Sequence, residues 1–272
     1  MSPALAAILI IPATAAAILA LTPGYRVSAA LNVLASLATL AAALSMFVAR
    51  PAGGLYLRVD DLSTVFIALS AFVGFTTSVF SASYIAHEVD IGRLTPTRLR
   101  FYHAMYQVLM FAMNLALAAN NIGLMWVAIE LATLTTVMMV AVYRTHEAIE
   151  AAWKYFILGS VGIALALFGT ILVYVAARPV VGEGLAGMVW TTLVANAHAF
   201  DPALLNLAFV FLMLGYGTKV GLAPLHAWLP DAHAEGPTPI SAVLSGLLLN
   251  VALYALLRFK MLLAANPAAI AP

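Results

Sequence analysis

Apolar residues fall into eight long runs, at about 3–22, 27–49, 62–86, 101–119, 122–143, 152–177, 204–228 and 239–262. Each is long enough for a helix to cross the hydrocarbon core, which takes about 20 apolar residues. The runs are continuous and lack the two-residue alternation of a barrel strand. The pattern predicts an all-α polytopic membrane protein with about eight transmembrane helices.

The breaks between runs support that division. Pro23-Gly24 closes the first run, and "ARPAGGLYLRVDD" separates the second from the third. The most charged connection is "HEVDIGRLTPTRLR" at 87–100, while Asn120-Asn121 is a tight turn that makes the fourth and fifth helices antiparallel neighbours. The first run lacks a basic leader and exceeds the 7–15 apolar residues, roughly, of a signal peptide, so it reads as a retained span. Tyr84, Tyr102, Tyr143, Trp153 and Tyr155 fall near run ends, where aromatic side chains favour the headgroup region.

Residues 178–203 follow a different pattern. Leu185, Met188, Val189, Thr192 and Leu193 recur at helical spacing with polar residues between them. This predicts a short amphipathic helix at the interface, near 184–199. The Gly182, Gly184 and Gly187 spacing imitates a dinucleotide fingerprint, but no strand precedes it and it carries no weight.

Composition sharpens the class. Of 272 residues, 64% are hydrophobic and 8% charged, where a soluble domain carries roughly 25% charged residues. A formal net charge of +1 gives no reason to expect a nucleic-acid partner. The absence of cysteine excludes disulfides, thiolate metal sites and cysteine nucleophiles. Basic residues divide six to five between the two sets of loops, with the larger share placing loop 87–100 on the cytoplasmic side.

Two ionisable residues lie well inside runs: Glu130 in "MWVAIELATLTTVMMVAVY" and Lys219 in "LGYGTKVGLAPLHAWLP". A charge at the bilayer centre costs about 2.5–3.5 kcal/mol or more, so such residues face protein or water and pair with something. A structural ion pair and a proton-carrying site are both open on this ground. Pro224 removes a backbone donor just beyond Lys219, so the helix is predicted to break there, with Pro230 extending the interruption. Backbone groups freed at membrane depth are tolerated only in a cavity or inside protein. A nearby carboxylate would favour the charged lysine and burial would oppose it, so movement of Glu130 would decide whether Lys219 keeps its proton.

Other polar residues add less. Pro230 stands between His226 and the Asp231–His233 pair and breaks helical register, which argues against a metal site and for polar groups at a cavity mouth. One histidine of the two could stand in a proton path. Glu150 and Lys154 form an ordinary pair four residues apart, from which Lys154 could reach inwards. No nucleophile elbow, phosphate loop or His-Glu-x-x-His motif occurs, so the chain has no catalytic centre of its own by sequence.

The stretch "LGYGTKVGLAPLHAWLPDAHAEGPTPISAVLSGLLLNVALYALLRF" (214–259) resembles the signature of the antiporter-like subunits of complex I, Mrp-type cation/proton antiporters and group 4 membrane-bound nickel–iron hydrogenases. "NNIGLMWVAIELATLTTVMMVAVYRTHEAIEAAWKYFILGSVGIALALFGTIL" (120–172) most resembles hydrogenase-4 component F, as in formate hydrogenlyase-like complexes. The resemblance implies three leading helices (1–100), a five-helix repeat (101–262) whose seventh helix is broken, and a C-terminal tail (263–272). It implies a proton-translocating role for Glu130 and Lys219. Asn250 occupies the position where many relatives carry a further lysine or histidine, so water or His233 would have to bridge.

The family plan of about 14 spans implies a second, inverted repeat. That half is expected on another chain or in a longer product. The implied partners are other membrane and peripheral subunits in a bacterial cytoplasmic membrane. Nickel–iron and iron–sulfur centres are expected on those subunits, with no cofactor in this chain. Two other readings stand beside the pump: a sodium/proton antiporter or inorganic-carbon uptake component, and a membrane anchor that has lost conduction.

Overall fold

The computed structural model describes residues 2–51 and 53–269. The last three residues of the expected tail lie outside that range. Eleven α-helices follow in order: α1 Pro3–Leu21, α2 Tyr25–Ser45, α3 Asp61–Asp90, α4 Pro96–Ala118, α5 Ile122–Val140, α6 His146–Val181, α7 Trp190–Asn196, α8 Pro202–Val220, α9 Leu229–Glu235, α10 Thr238–Val243 and α11 Leu249–Ala264. A π turn, Leu244–Leu248, joins α10 to α11 into one run. Among the described residues there is no strand beyond two isolated bridges, Leu57 with Ala119 and Asn121 with Val189.

Local chemistry sets where the helices begin. Ser2, Asp60, Thr95, Asn121, Thr145 and Asp201 each cap a helix by accepting a hydrogen bond from a first-turn amide. Such a cap satisfies donors the helix itself leaves open and is worth about 1 kcal/mol. Asn120 does more than turn the chain. Its backbone and side-chain amide bond Tyr56, Gly54, Trp190 and Thr191, tying the second loop, the α4–α5 turn and α7 together.

Seven helical segments are long and apolar enough to cross a membrane, the π turn counted with its flanking helices. The expected fourth span, α4, is not among them. Its 23 residues include His103, Gln107 and Asn114, all buried against neighbouring helices. It packs chiefly against α1 and α5, with these polar groups enclosed by protein. With its seven apolar segments, the chain is an integral membrane protein.

Several expectations change. The seventh span ends at Val220 and not near 228. Tyr102 and Tyr155 do not face headgroups: both are fully buried, bonded to Ser81 and Thr136 respectively. Trp153 is exposed as expected. The amphipathic segment is a turn at Gly184–Met188, then α7, then a turn at Ala197–Ala199. Its buried stripe is Val189, Leu193 and Ala197, while Leu185 points outward.

The closest packing is between α6 and α8. A Cβ on Gly215 would collide with the Ala166 amide and the Gly162 carbonyl, and one on Gly162 would lie 2.8 Å from Thr218. Small residues let the two backbones touch, as helix interfaces within membranes require. That approach delivers the end of α8 to the middle of the bundle.

Candidate functional site: a buried lysine at a broken helix

Lys219 is the penultimate residue of α8. The helix stops at Gly221, whose backbone is left-handed at φ 78 and ψ 33. Glycine takes that conformation without the penalty a side chain would bring, and it closes the helix in a Schellman turn. The Leu222 amide accordingly donates to the Gly217 carbonyl at 2.9 Å. The break therefore comes three residues before Pro224, which lies in the turn after a cis Ala223–Pro224 bond. Pro230 opens α9, where a missing N–H is harmless.

Beyond the break the chain folds back. Trp228 is fully buried and its Nε1 donates to the Thr218 carbonyl at 2.8 Å, so one carbonyl of the terminal turn is bonded inside protein. The Trp228 ring stacks on Tyr155 at 4.3 Å, and the Tyr155 hydroxyl meets that of Thr136 at 2.8 Å. These contacts clamp the start of the returning segment onto α5 and α6.

The Lys219 side chain has no solvent exposure. Its Nζ donates to Thr133 Oγ1 at 2.8 Å and to Glu130 Oε2 at 3.4 Å. Glu130 and Thr133 stand three residues apart and share one face of α5. Gly159 on α6 makes room for the ammonium, since a Cβ there would lie 3.0 Å from Nζ. Glu130 keeps 18% of its side chain exposed, so the carboxylate is the less enclosed end of the pair.

The remaining sequence candidates lie apart from this pair. Lys154 turns outward, bonding Glu150 at 2.8 Å and Asp231 at 2.9 Å with half its side chain exposed. His226 is exposed; His233, half-buried on α9, offers its carbonyl to Ser241. Asn250 donates to the Gly246 carbonyl in the π turn just before it, at 2.7 Å. Thr133, Gly159 and Trp228 were not singled out from sequence. The first could have been, from its spacing to Glu130; the other two are joined to Lys219 only by the fold.

The fold and this pair define a class: a polytopic helical membrane protein with a buried lysine–glutamate couple beside an interrupted helix. Residues 119–271 match the family described as NADH:quinone oxidoreductase/Mrp antiporter, TM, and the chain belongs to that family. It is 60% identical to the hydrogenase-4 component F homolog of Methylacidiphilum infernorum (isolate V4), over 97% of this chain and 56% of that protein. Its fold is similar to a chain of the membrane-bound sulfane sulfur reductase, an archaeal respiratory membrane complex (TM-score 0.83, 21% identity, 99% of this chain and 55% of that one). It is also similar to a chain of respiratory complex I from Thermus thermophilus (TM-score 0.71, 26% identity, 93% of this chain and 52% of that one). The chain thus spans little more than half the length of these relatives.

Proposed function

We propose that this chain is a proton-translocating membrane subunit of a redox-driven complex, of the group 4 nickel–iron hydrogenase or formate hydrogenlyase-like kind. The observation that carries the reading is Lys219, fully buried at a helix break and held by Glu130 and Thr133. The name of its 60% identical relative favours the hydrogenase setting.

The geometry suits proton exchange. Two unit charges at 3.4 Å attract by about 5 kcal/mol at an effective dielectric of about 20. That offsets most of the cost of placing the two charges at membrane depth, roughly 2.5–3.5 kcal/mol each. While Glu130 is ionised and near, Lys219 holds its proton. Protonation or displacement of Glu130 removes the counter-charge, and the desolvated ammonium releases its proton. The Thr133 hydroxyl can then turn and donate to the neutral amine, so the site is satisfied in both states.

Electron transfer would take place at nickel–iron and iron–sulfur centres on peripheral partner subunits, in a bacterial cytoplasmic membrane. Mass spectrometry of the native complex tests this assignment. Hydrogenase large and small subunits in stoichiometric amount are expected; antiporter-type partners without redox subunits would contradict it.

One observation favours a second reading, an anchor that has lost conduction. Asn250 spends its amide on its own helix, and no titratable side chain hydrogen-bonds to Lys219 on that side. Unimpaired proton transport after replacement of Lys219 would decide for it.

A further inference from the structure

Seven buried polar side-chain atoms among the described residues have no hydrogen-bond partner, and five lie along one seam. They are Asn32 Nδ2, both ring nitrogens of His103, Gln107 Oε1 and Asn114 Oδ1. His103, Gln107 and Asn114 are spaced by four and seven residues, which puts them on one face of α4. Ser28, Asn32, Ser36 and Thr39, at steps of four, four and three, share one face of α2, and all four are buried. Gln107 Nε2 joins the two rows, donating to Asn32 Oδ1 at 2.8 Å and Ser36 Oγ at 3.0 Å. Asn114 Nδ2 reaches the Ile8 carbonyl of α1 at 3.1 Å. At the same junction Ala15, Ala35 and Ala104 cluster with Leu19, with Ile11 and Leu31 packed against them.

A dry seam does not explain this arrangement. Interhelical packing alone is served better by apolar side chains, which leave no donor or acceptor stranded in a medium without water. Exchanging the ends of the Gln107 amide would not relieve the deficit, because its oxygen would then face the Asn32 carbonyl, 3.3 Å from the present nitrogen. A neutral imidazole carries one N–H donor and one lone pair, and His103 has a protein partner for neither. Bound water answers both needs, since it donates and accepts where buried polar groups cluster.

We propose that α1, α2 and α4 enclose a file of bound waters running from His103 past Asn32 and Gln107 to Asn114, with His103 as its proton-exchanging residue. The file is separate from the Glu130–Lys219 pair and does not depend on the function proposed for that pair. An excess proton arriving along it binds one ring nitrogen of His103, and the proton on the other nitrogen leaves, so the imidazole returns to neutrality with its tautomer exchanged.

The test uses the complete complex in lipid nanodiscs. Cryo-EM at a resolution that shows ordered water is expected to find density within hydrogen-bond reach of His103, Gln107 Oε1 and Asn114 Oδ1. Protein groups filling those positions, or a dry seam, would overturn the proposal. Deuterium exchange at the His103 ring carbon, read by mass spectrometry, checks water access independently, because that hydrogen exchanges only where water and protons reach the imidazole. Measurable exchange is expected, slowed several-fold in an assembled Gln107→Leu complex. No exchange in the wild type, or an unchanged rate in Q107L, would overturn it.

Discussion

The indole N–H of Trp228 donates to the carbonyl of Thr218, the residue before Lys219, across a chain reversal of ten residues. That bond occupies a carbonyl at the broken end of α8 and holds the returning segment against the turn bearing the lysine. Trp228→Phe keeps the ring and its stacking on Tyr155 but loses the donor. The Gly221 amide still reaches that carbonyl at 3.3 Å, so the expected cost is about 0.5–1.5 kcal/mol, the range for one lost hydrogen bond. Thermal unfolding of the purified complex measures it, and Trp228→Leu, which also loses the stacking, should cost more.

Glu130→Gln removes the charge that faces Lys219 at 3.4 Å and keeps the shape. Breaking a buried pair from one side leaves an uncompensated charge, at a cost of about 3–5 kcal/mol if the lysine stays protonated. Because Lys219 can shed its proton, the measured loss of stability should fall below that range while proton transport fails. Transport and thermal stability measured on one preparation separate these effects. A variant that transports at the wild-type rate would remove Glu130 from the account.

The α6–α8 contact makes a steric prediction. Gly215→Ala puts a methyl group against the Ala166 amide and the Gly162 carbonyl, backbone atoms that cannot step aside. Overpacking of this kind costs about 1–3 kcal/mol or more. Gly159→Ala is different in kind, since its methyl group would meet the end of the flexible Lys219 side chain at 3.0 Å. It should assemble normally and alter transport. Assembly yields and transport rates of the two variants test the contrast.

Asp60 and Arg258 join the start of α3 to the middle of α11 through a bidentate pair at 2.6 Å, with Arg258 lying over the Trp190 ring at 4.4 Å. Burial pushes the Asp60 carboxyl up, but the bonds from Arg258 and from the Ser63 amide and the charge of Arg258 outweigh it and hold it at about 2. A carboxyl depressed in the folded state contributes stability that is full above its ordinary value of 3.8 and is lost as pH falls through about 2. Acid unfolding of the wild type between those values should therefore be steeper than that of Asp60→Asn. At neutral pH the variant should be the less stable, because Arg258 is left buried without its counter-charge. Unfolding temperatures across that range, measured in detergent, check both signs.

Continuous apolar runs made the helices legible, and the capping residues account for where they start. Glu130 and Lys219 stood out because a charge inside such a run is costly. The helix break was expected from Pro224, yet a left-handed glycine three residues earlier produces it. Proline is the conspicuous signal in a sequence, whereas the role of Gly221 depends on a backbone angle. Tyr102 and Tyr155 were misplaced because position along a run says nothing of which way a helix faces. The α4 helix was read as a span but does not reach the apolarity of the seven others, and what its polar residues meet could be seen only with α2 beside it. Asn250 was judged by the residue it replaces, while its actual bond lies within its own helix.

The measurement that tests the central claim most directly is proton transport by the complete complex, reconstituted in liposomes, with Lys219→Ala against wild type and electron transfer recorded at the same time. The account predicts an assembled complex whose transport falls by about a hundredfold or more, the scale of removing a positioned proton-transfer group. An assembled complex that transports protons at the wild-type rate without Lys219 would contradict it.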